Sequence, residues 1–521
     1  MRPYRWGDPD RAVELPPAVG AALAALGVRA PNGPPVEPAD ARLPAGTLPR
    51  AVRAELEAAL GSEQVRDDAA VRIAHTRGWS TTDLLELRRG DASDAPDAVA
   101  FPGAHEDVLR VLQICTTHRV AVVPFSGGTS VVGGLVAARA GYTAVLALDL
   151  RRMDGLVAVD LESRTVTLQA GVRATRAEQL LAEHGLTLGH FPQSYEGASI
   201  GGYAATRSSG QASAGYGRFD EMVVGLVLAT PQGTITLGTA PMSAAGPDLR
   251  QLVLGSEGTL GVITEVTLRA HRVPAERVYD GWRFATFDEG TTALRRLVQD
   301  GPVPTVLRLS DEAETAVNLA DPGGPASAGG ALAIAGYEGT AREVATRRAA
   351  ASAVLADGGG RPLGVAPGEA WREGRYRAPY LRDQLLDAGA LVETLETATF
   401  WSNLAALRAA VTAALSQALA GQGTAPVVLC HLSHVYRTGA SLYFTVVCAQ
   451  AQDPIAQWHE AKTAANAAIR AAGATITHHH GVGTVHRDTY QEEIGPLAVA
   501  ALRAVKATLD PAGILNPGVL V

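Results

Sequence analysis

The sequence predicts an α+β protein made of two unlike parts, and three observations carry that expectation. Between residues 96 and 273, apolar strand-like runs feed directly into glycine- and serine-rich segments. Beyond Pro274 the pattern changes to strands alternating with amphipathic helices. The composition, 47% hydrophobic and 19% charged, suits a folded chain, and 521 residues are too many for one ordinary domain.

Residues 1–95 read as an N-terminal helical extension that wraps the rest, with Pro/Gly-rich stretches around the helical pattern PRAVRAELEAAL (49–60). In HEDVLRVLQICTTH (105–118), Val108, Val111, Leu112 and Cys115 fall at helical spacing, with acidic residues in the first turn. The apolar run VAVVPF (120–125) is a buried strand, and SGGTSVVGG follows it at once. TAVLALDL (143–150) is a second such strand, and LVAVD and RTVTLQA alternate as a hairpin. The helix RATRAEQLLAEHG ends at Gly185, a C-terminal cap, and MVVGLVLATPQGTITLG turns at Pro231-Gln232-Gly233. Residues 274–477 form a second domain. There RVYDGWRFATF, TVLRLS, ALAIAGYEG, VVLCHLS and SLYFTVVCAQ read as strands of an antiparallel sheet backed by helices such as AREVATRRAAASAVLADGG and PIAQWHEAKTAANAAIRAAG. Residues 478–521 return to the first domain as a histidine loop and a helix.

Several partners are disfavoured. A net charge of −8 without a basic stripe argues against nucleic acid, although a few local cations still allow an anionic substrate. Cys115, Cys430 and Cys448 contain no CxxC pair, which suits a reducing cytoplasm and no disulfide framework. The opening MRPYRWGDPDRAVELPP is polar and proline-broken, unlike a secretory signal. No apolar stretch is expected to approach the ~20 residues of a membrane span, and contact with a membrane surface is left open.

The chemistry-bearing residues lie in a few segments. Pro124, Phe125, Ser126, Gly127, Gly128, Thr129 and Ser130 follow a buried strand, where glycines turn the chain tightly and bring amides to phosphate oxygens. The segment is neither GxGxxG nor GxxxxGK[ST], so a Rossmann or P-loop reading gains nothing. Three more segments of small residues follow it: Gln193, Ser194, Tyr195, Glu196, Gly197, Ala198 and Ser199; then Thr206, Arg207, Ser208 and Ser209; then Glu257, Gly258, Thr259, Leu260, Gly261, Val262 and Ile263. Each can lie against a large planar or diphosphate ligand. His478, His479 and His480 stand side by side before Gly481-Val482-Gly483. Taken alone they are a metal site, an exposed polar turn, or a cluster of proton carriers.

The order and wording of these segments resemble the FAD-binding domain of the vanillyl-alcohol oxidase/p-cresol methylhydroxylase superfamily, with Ser126 where a glycine is usual. Within it, GHFPQSYEGASIGGYAATRSSG, PYLRD, LVETLETATFW, HVYRTGASLYF and HHHGVG resemble the alkyldihydroxyacetonephosphate synthase family. The resemblance implies a two-subdomain FAD-binding domain (96–273) and an antiparallel-sheet cap domain. It implies FAD held noncovalently, since no His or Cys lies between Pro124 and Gly134. It also implies a lipid-like phosphorylated ketone and a fatty alcohol as substrates, exchanged through a bond to flavin N5 without net redox, in a homodimer. By the same resemblance Arg308 and Arg382 bind substrate, and Tyr436 moves a proton with neighbouring cations lowering its pKa. His478, His479 and His480 then form a positively biased, proton-exchanging wall, and no metal is expected. Two other readings stay open. One is an FAD-linked oxidoreductase of a D-2-hydroxy acid, whose relatives show Glu-His-Gly where this chain has His479-His480-Gly481. The other is a catalytically idle flavin-binding scaffold.

Overall fold

The apolar runs of the first part become two sheets. In the computed structural model, which describes residues 4–521 except 13, 16, 32, 137 and 319–328, strands β1 (Val65–Arg66), β2 (Ala98–Ala100), β3 (Val120–Phe125) and β4 (Ala144–Asp149) form one sheet ordered β1-β2-β4-β3. Central β4 runs parallel to β2 and β3 and is buried throughout, which is why its sequence is nearly continuous in apolar residues. The helix His105–His118 buries Val108, Val111, Leu112 and Cys115, as its spacing predicts. The N-terminal extension belongs to this core: β1 pairs with β2, and the helix Arg50–Leu60 inserts Val52 and Leu56.

Strands β5 (Leu156–Asp160), β6 (Thr165–Gln169), β7 (Leu186–Thr187), β8 (Val223–Thr230), β9 (Gly233–Leu237), β10 (Val262–Arg269) and β11 (His271–Arg272) follow. Five of them make an antiparallel sheet ordered β5-β6-β10-β8-β9, and β7 pairs with β11. Both expected hairpins form, β5 with β6 and β8 with β9.

The cap is one seven-stranded antiparallel sheet of β12 (Glu276–Phe284), β13 (Val306–Ser310), β14 (Ala331–Gly339), β15 (Arg361–Gly364), β16 (Ala390–Phe400), β17 (Val427–Val435) and β18 (Gly439–Ala449), ordered β15-β12-β14-β13-β17-β18-β16. Leu307, Leu309, Cys430, Leu432, Leu442 and Phe444 point to its helix-covered face. Because successive side chains alternate, Arg308, His431 and Tyr443 point the other way. A register shift between Leu432 and His434 inserts one residue, so His434 comes out on the same face as His431.

One sequence expectation needs correcting here. Trp401–Gly421 is long and apolar enough to cross a membrane. In the fold it serves as a covering helix of the cap, burying Leu404, Leu407, Val411, Leu415 and Leu419 along one stripe.

Candidate active site between the two domains

The glycine segments of the first domain meet backbone to backbone. A Cβ on Gly127 would stand 2.6 Å from Gly197 O and 2.9 Å from the Ala198 Cα, and one on Gly258 would stand 2.7 Å from the Pro124 ring. Gly128 (φ +67°) sits under the Phe125 ring, where a side chain would also be strained. Arg173 ties the same loops together, donating to Gly197 O and, at 3.0 Å, to Ser126 O. Ser126 Oγ, His190 Nδ1 and Tyr203 Oη are buried without a partner. Each such atom costs about 1–3 kcal/mol unless a bound group uses it. A cradle of close-set amides with unused hydroxyls fits a diphosphate-bearing cofactor.

The other expected cofactor residues divide by where their side chains go. Gln193 donates to Arg375 O at 2.9 Å, and Tyr195 stacks on Tyr376. Ser194 O accepts from the amides of Gly197 and Ala198, while Ser199 caps the helix Ile200–Thr206. Ser130 Oγ accepts from the Gly134 amide. Ser208 Oγ lies 3.1 Å from His190 Nε2, and Ser209 Oγ lies 3.0 Å from His434 Nδ1 across the domain boundary. Some side chains turn to structural work instead. Glu196 holds Tyr380 and Arg11, Thr206 bonds back to Gly202 O, and Arg207 donates to Leu254 O and Gln251 O. Thr259 bonds Ser256 O, and a Cβ on Gly261 would meet the Leu228 side chain. Leu260 is buried, and Val262 and Ile263 open β10. Glu257, buried and raised to about 7 by lost hydration, clamps the amides of Val482 and Gly483 just beyond the histidines.

The histidine run crosses the face of the cap sheet opposite its helices and is held there by Glu396 of β16. Its carboxylate accepts from the amides of His478 (2.6 Å), His479 (3.2 Å) and His480 (3.0 Å) and from the Thr477 hydroxyl (2.6 Å). Burial works against the charge on Glu396, yet the three adjacent histidines and Thr477 bring its carboxyl well below the ordinary range. His478 is the most heavily contacted member. Its Nε2 lies 2.6 Å from Tyr436 Oη and 3.0 Å from Arg218 Nη1, and its Nδ1 lies 3.0 Å from His479 Nδ1. His434 stacks on it, with Nδ1 held by Ser209 and Ser213. Arg308 reaches His431 Nε2 at 3.0 Å and Glu314 at 2.7 Å, and His431 stacks on Tyr443, which faces His479. Arg382 donates to Trp79 O at 2.6 Å and keeps a buried, unpartnered Nε.

Two electrostatic expectations change. The triplet is not a cationic wall: burial drives His478 and His434 well below the ordinary imidazole value, lowers His479, and takes His480 to about 3. The positive charge beside it comes from Arg218 and Arg308. Tyr436 is not brought down either. Burial pushes it up to about 12, because the phenolate loses more water than the Arg218 guanidinium replaces. No metal was expected, yet ligand atoms of His434, His478 and His479 lie within 4.8 Å of one another. His434 Nδ1 and both nitrogens of His478 are already engaged in the hydrogen bonds above. Sequence reading missed Arg218 and Glu396. Arg218 lies in GRFDEM, which carries no motif, and Glu396 sits inside the selective phrase LVETLETATFW, where its acid was not singled out.

The two parts match two family models, "FAD binding domain" over residues 96–238 and "FAD linked oxidases, C-terminal domain" over residues 273–520. A relative named alkyldihydroxyacetonephosphate synthase from Dictyostelium discoideum is 33% identical over 500 residues, 92% of this chain and 82% of its own length. This chain belongs to the alkyldihydroxyacetonephosphate synthase family. A solved alkyldihydroxyacetonephosphate synthase superposes with a TM-score of 0.84 at 29% identity, covering 99% of this chain and 98% of that one. A p-cresol methylhydroxylase at 17% identity shares the fold, with a TM-score of 0.66 over 90% of this chain and 96% of its own. The protein is thus an FAD-dependent, alkyldihydroxyacetonephosphate synthase-like enzyme, and the cradle at Ser126–Ser130 suits its cofactor.

Proposed function

We propose that the enzyme exchanges the acyl group of an acyl-dihydroxyacetone phosphate for a fatty alcohol, with no net redox, as a step of ether-lipid synthesis. The observation that carries this reading is the 2.6 Å contact between Tyr436 Oη and His478 Nε2 on the cap face that meets Ser209 of the first domain. Bound FAD would supply covalent catalysis at the reacting carbon. The chain's own residues then have three tasks.

Arg308 and Arg382 hold the phosphate. Arginine suits this because its planar fork binds phosphate through two N–H groups and stays charged. Arg382 has a buried N–H to spare, and Arg308 would trade His431 for the ligand. Tyr436 moves the proton at the substrate's C1, with His478 as its immediate partner. His479 and His480, neutral and nearly enclosed, accept or return protons without repelling the arginines that hold the phosphate. FAD is held noncovalently in this reading, since no His or Cys lies between Pro124 and Gly134 and the three cysteines are buried in apolar cores. The enzyme is a cytoplasmic homodimer that meets its long-chain substrates at a membrane surface. Light scattering and vesicle flotation test those two points.

The deciding experiment supplies FAD-loaded enzyme with palmitoyl-dihydroxyacetone phosphate and hexadecanol, without an electron acceptor. Ether product with equimolar palmitate is expected by mass spectrometry. No ether, together with bleaching of the flavin by a D-2-hydroxy acid, would replace the transferase with a dehydrogenase.

A further inference from the structure

We propose that Arg218 and Glu396 bracket a proton wire running from Tyr436 through His478 to His479, and that Arg218 sets its direction by dictating the tautomer of His478. The proposal deepens the reaction above, because it names the route by which the Tyr436 proton leaves.

The reasoning begins with what each group can donate. A guanidinium has five N–H donors and no acceptor. Arg218 Nη1 lies 3.0 Å from His478 Nε2 and 3.0 Å from His478 O, with Nη2 on Arg207 O and Nε on Asp220. His478 Nε2 must therefore present its lone pair, and a neutral imidazole then carries its proton on Nδ1. That nitrogen lies 3.0 Å from His479 Nδ1, which must accept and so carries its own proton on Nε2. On the other side, Tyr436 Oη lies 2.6 Å from the same Nε2 lone pair. The three groups thus form an ordered chain with one orientation.

A proton moving along it balances. The Tyr436 O–H bond breaks as an N–H bond forms at His478 Nε2. The His478 Nδ1–H bond breaks as one forms at His479 Nδ1. No electrons change hands. The phenolate is left beside Arg218, which turns to it once His478 Nε2 carries hydrogen. The His479 imidazolium is left with its Nδ1 3.7 Å from Glu396 Oε2. Each new charge has an opposite charge waiting, one from each domain. Ser209 and Glu221 also face Tyr436, and His434, His480 and Tyr443 face His479. Among the described residues, Arg218 is the cation that touches the middle of the wire. Without it, His478 is free to hold its proton on Nε2 and point it at Tyr436, which blocks the transfer. Arg218 and Glu396 are positioning residues in this scheme.

The test reads tautomers directly. FAD-loaded protein labelled with ¹⁵N-histidine is examined by long-range ¹H–¹⁵N correlation at neutral pH, with His478 identified by the signals lost in His478→Asn. Wild-type His478 is expected in the Nδ1–H form. Arg218→Glu, an acceptor only when ionised, should put a proton on Nε2, while Arg218→Lys, a donor only, should keep Nδ1–H. An Nε2–H His478 in the wild type overturns the proposal even if no variant folds, and so does an Nε2 that stays unprotonated in Arg218→Glu. In the ether-forming assay, Arg218→Glu should lower kcat by ~100-fold with KM little changed, and Arg218→Lys should recover part of the loss. A wild type that makes no ether removes the proposed reaction but leaves the tautomer result standing, so the two failures are distinguishable.

Discussion

At Gly127 one added carbon would sit 2.6 Å from a neighbouring carbonyl, whereas at His478 three side chains and a carboxylate converge on a single residue. These two regions belong to different parts of the chain and are built in opposite ways. The first domain makes its half from backbone, with glycines brought so close that no side chain fits. The cap makes its half from ionisable side chains on a sheet face, and it borrows Arg218 and Ser209 from the other domain to complete it. A backbone cradle tolerates almost no change in volume, while a side-chain cluster tolerates volume but not a change in its hydrogen bonding.

That contrast can be broken or sharpened by experiment. The largest effect is expected at the cap: Tyr436→Phe should lower ether formation by ~1,000-fold while the purified protein keeps its flavin absorbance. Gly127→Val should do the reverse, weakening FAD by ~100-fold through overpacking, read by fluorescence of released flavin. If Gly127→Val retains FAD and merely slows turnover, the backbone half is not the cradle.

The third effect is pH-dependent. His434, His478, His479 and His480 have folded values depressed below 6.5, so their contribution to stability is present above 6.5 and lost as pH falls toward the folded values. At pH 5 each strongly depressed histidine should cost about 2 kcal/mol. Glu257, raised to about 7, works in the opposite direction between its ordinary value and 7, but it is one group against several. Melting temperature should therefore drop steeply from pH 7 to pH 5, and His480→Gln should flatten the slope. A flat wild-type profile would mean that the triplet is hydrated and exposed. Smaller again, Arg308→Met should raise KM for the phosphorylated substrate by ~10-fold with kcat nearly unchanged, measured in the same assay. Smallest of all, Arg11→Ala removes a half-exposed ion pair with Glu196 and should move stability by less than ~0.5 kcal/mol in denaturant unfolding.

The fold was legible wherever the signal is local. The strand 120–125, both hairpins and the helices at 105–118 and 454–471 follow from periodicity and turn chemistry, and each stands where its residues predict. The close-set glycine loops were equally legible, because a glycine demanded by close approach is visible as a glycine. Less was legible at Glu257 and Arg207, whose side chains hold backbone elsewhere. Trp401–Gly421 was overlooked as an apolar stretch of spanning length, and the fold shows it covering the cap sheet.

By itself the sequence determined the two hairpins, the antiparallel sheet of the second domain, the glycine-rich loops, the cofactor class and the presence of a histidine run after that domain. All of these rest on neighbours within a few residues or on short phrases with their own wording. Only the tertiary structure decided what the histidines are. The register shift before His434, the Glu396 clamp and an arginine 260 residues away from His478 gather around them. Protonation state and tautomer depend on burial and on partners distant in sequence, and neither is written in the order of the residues themselves.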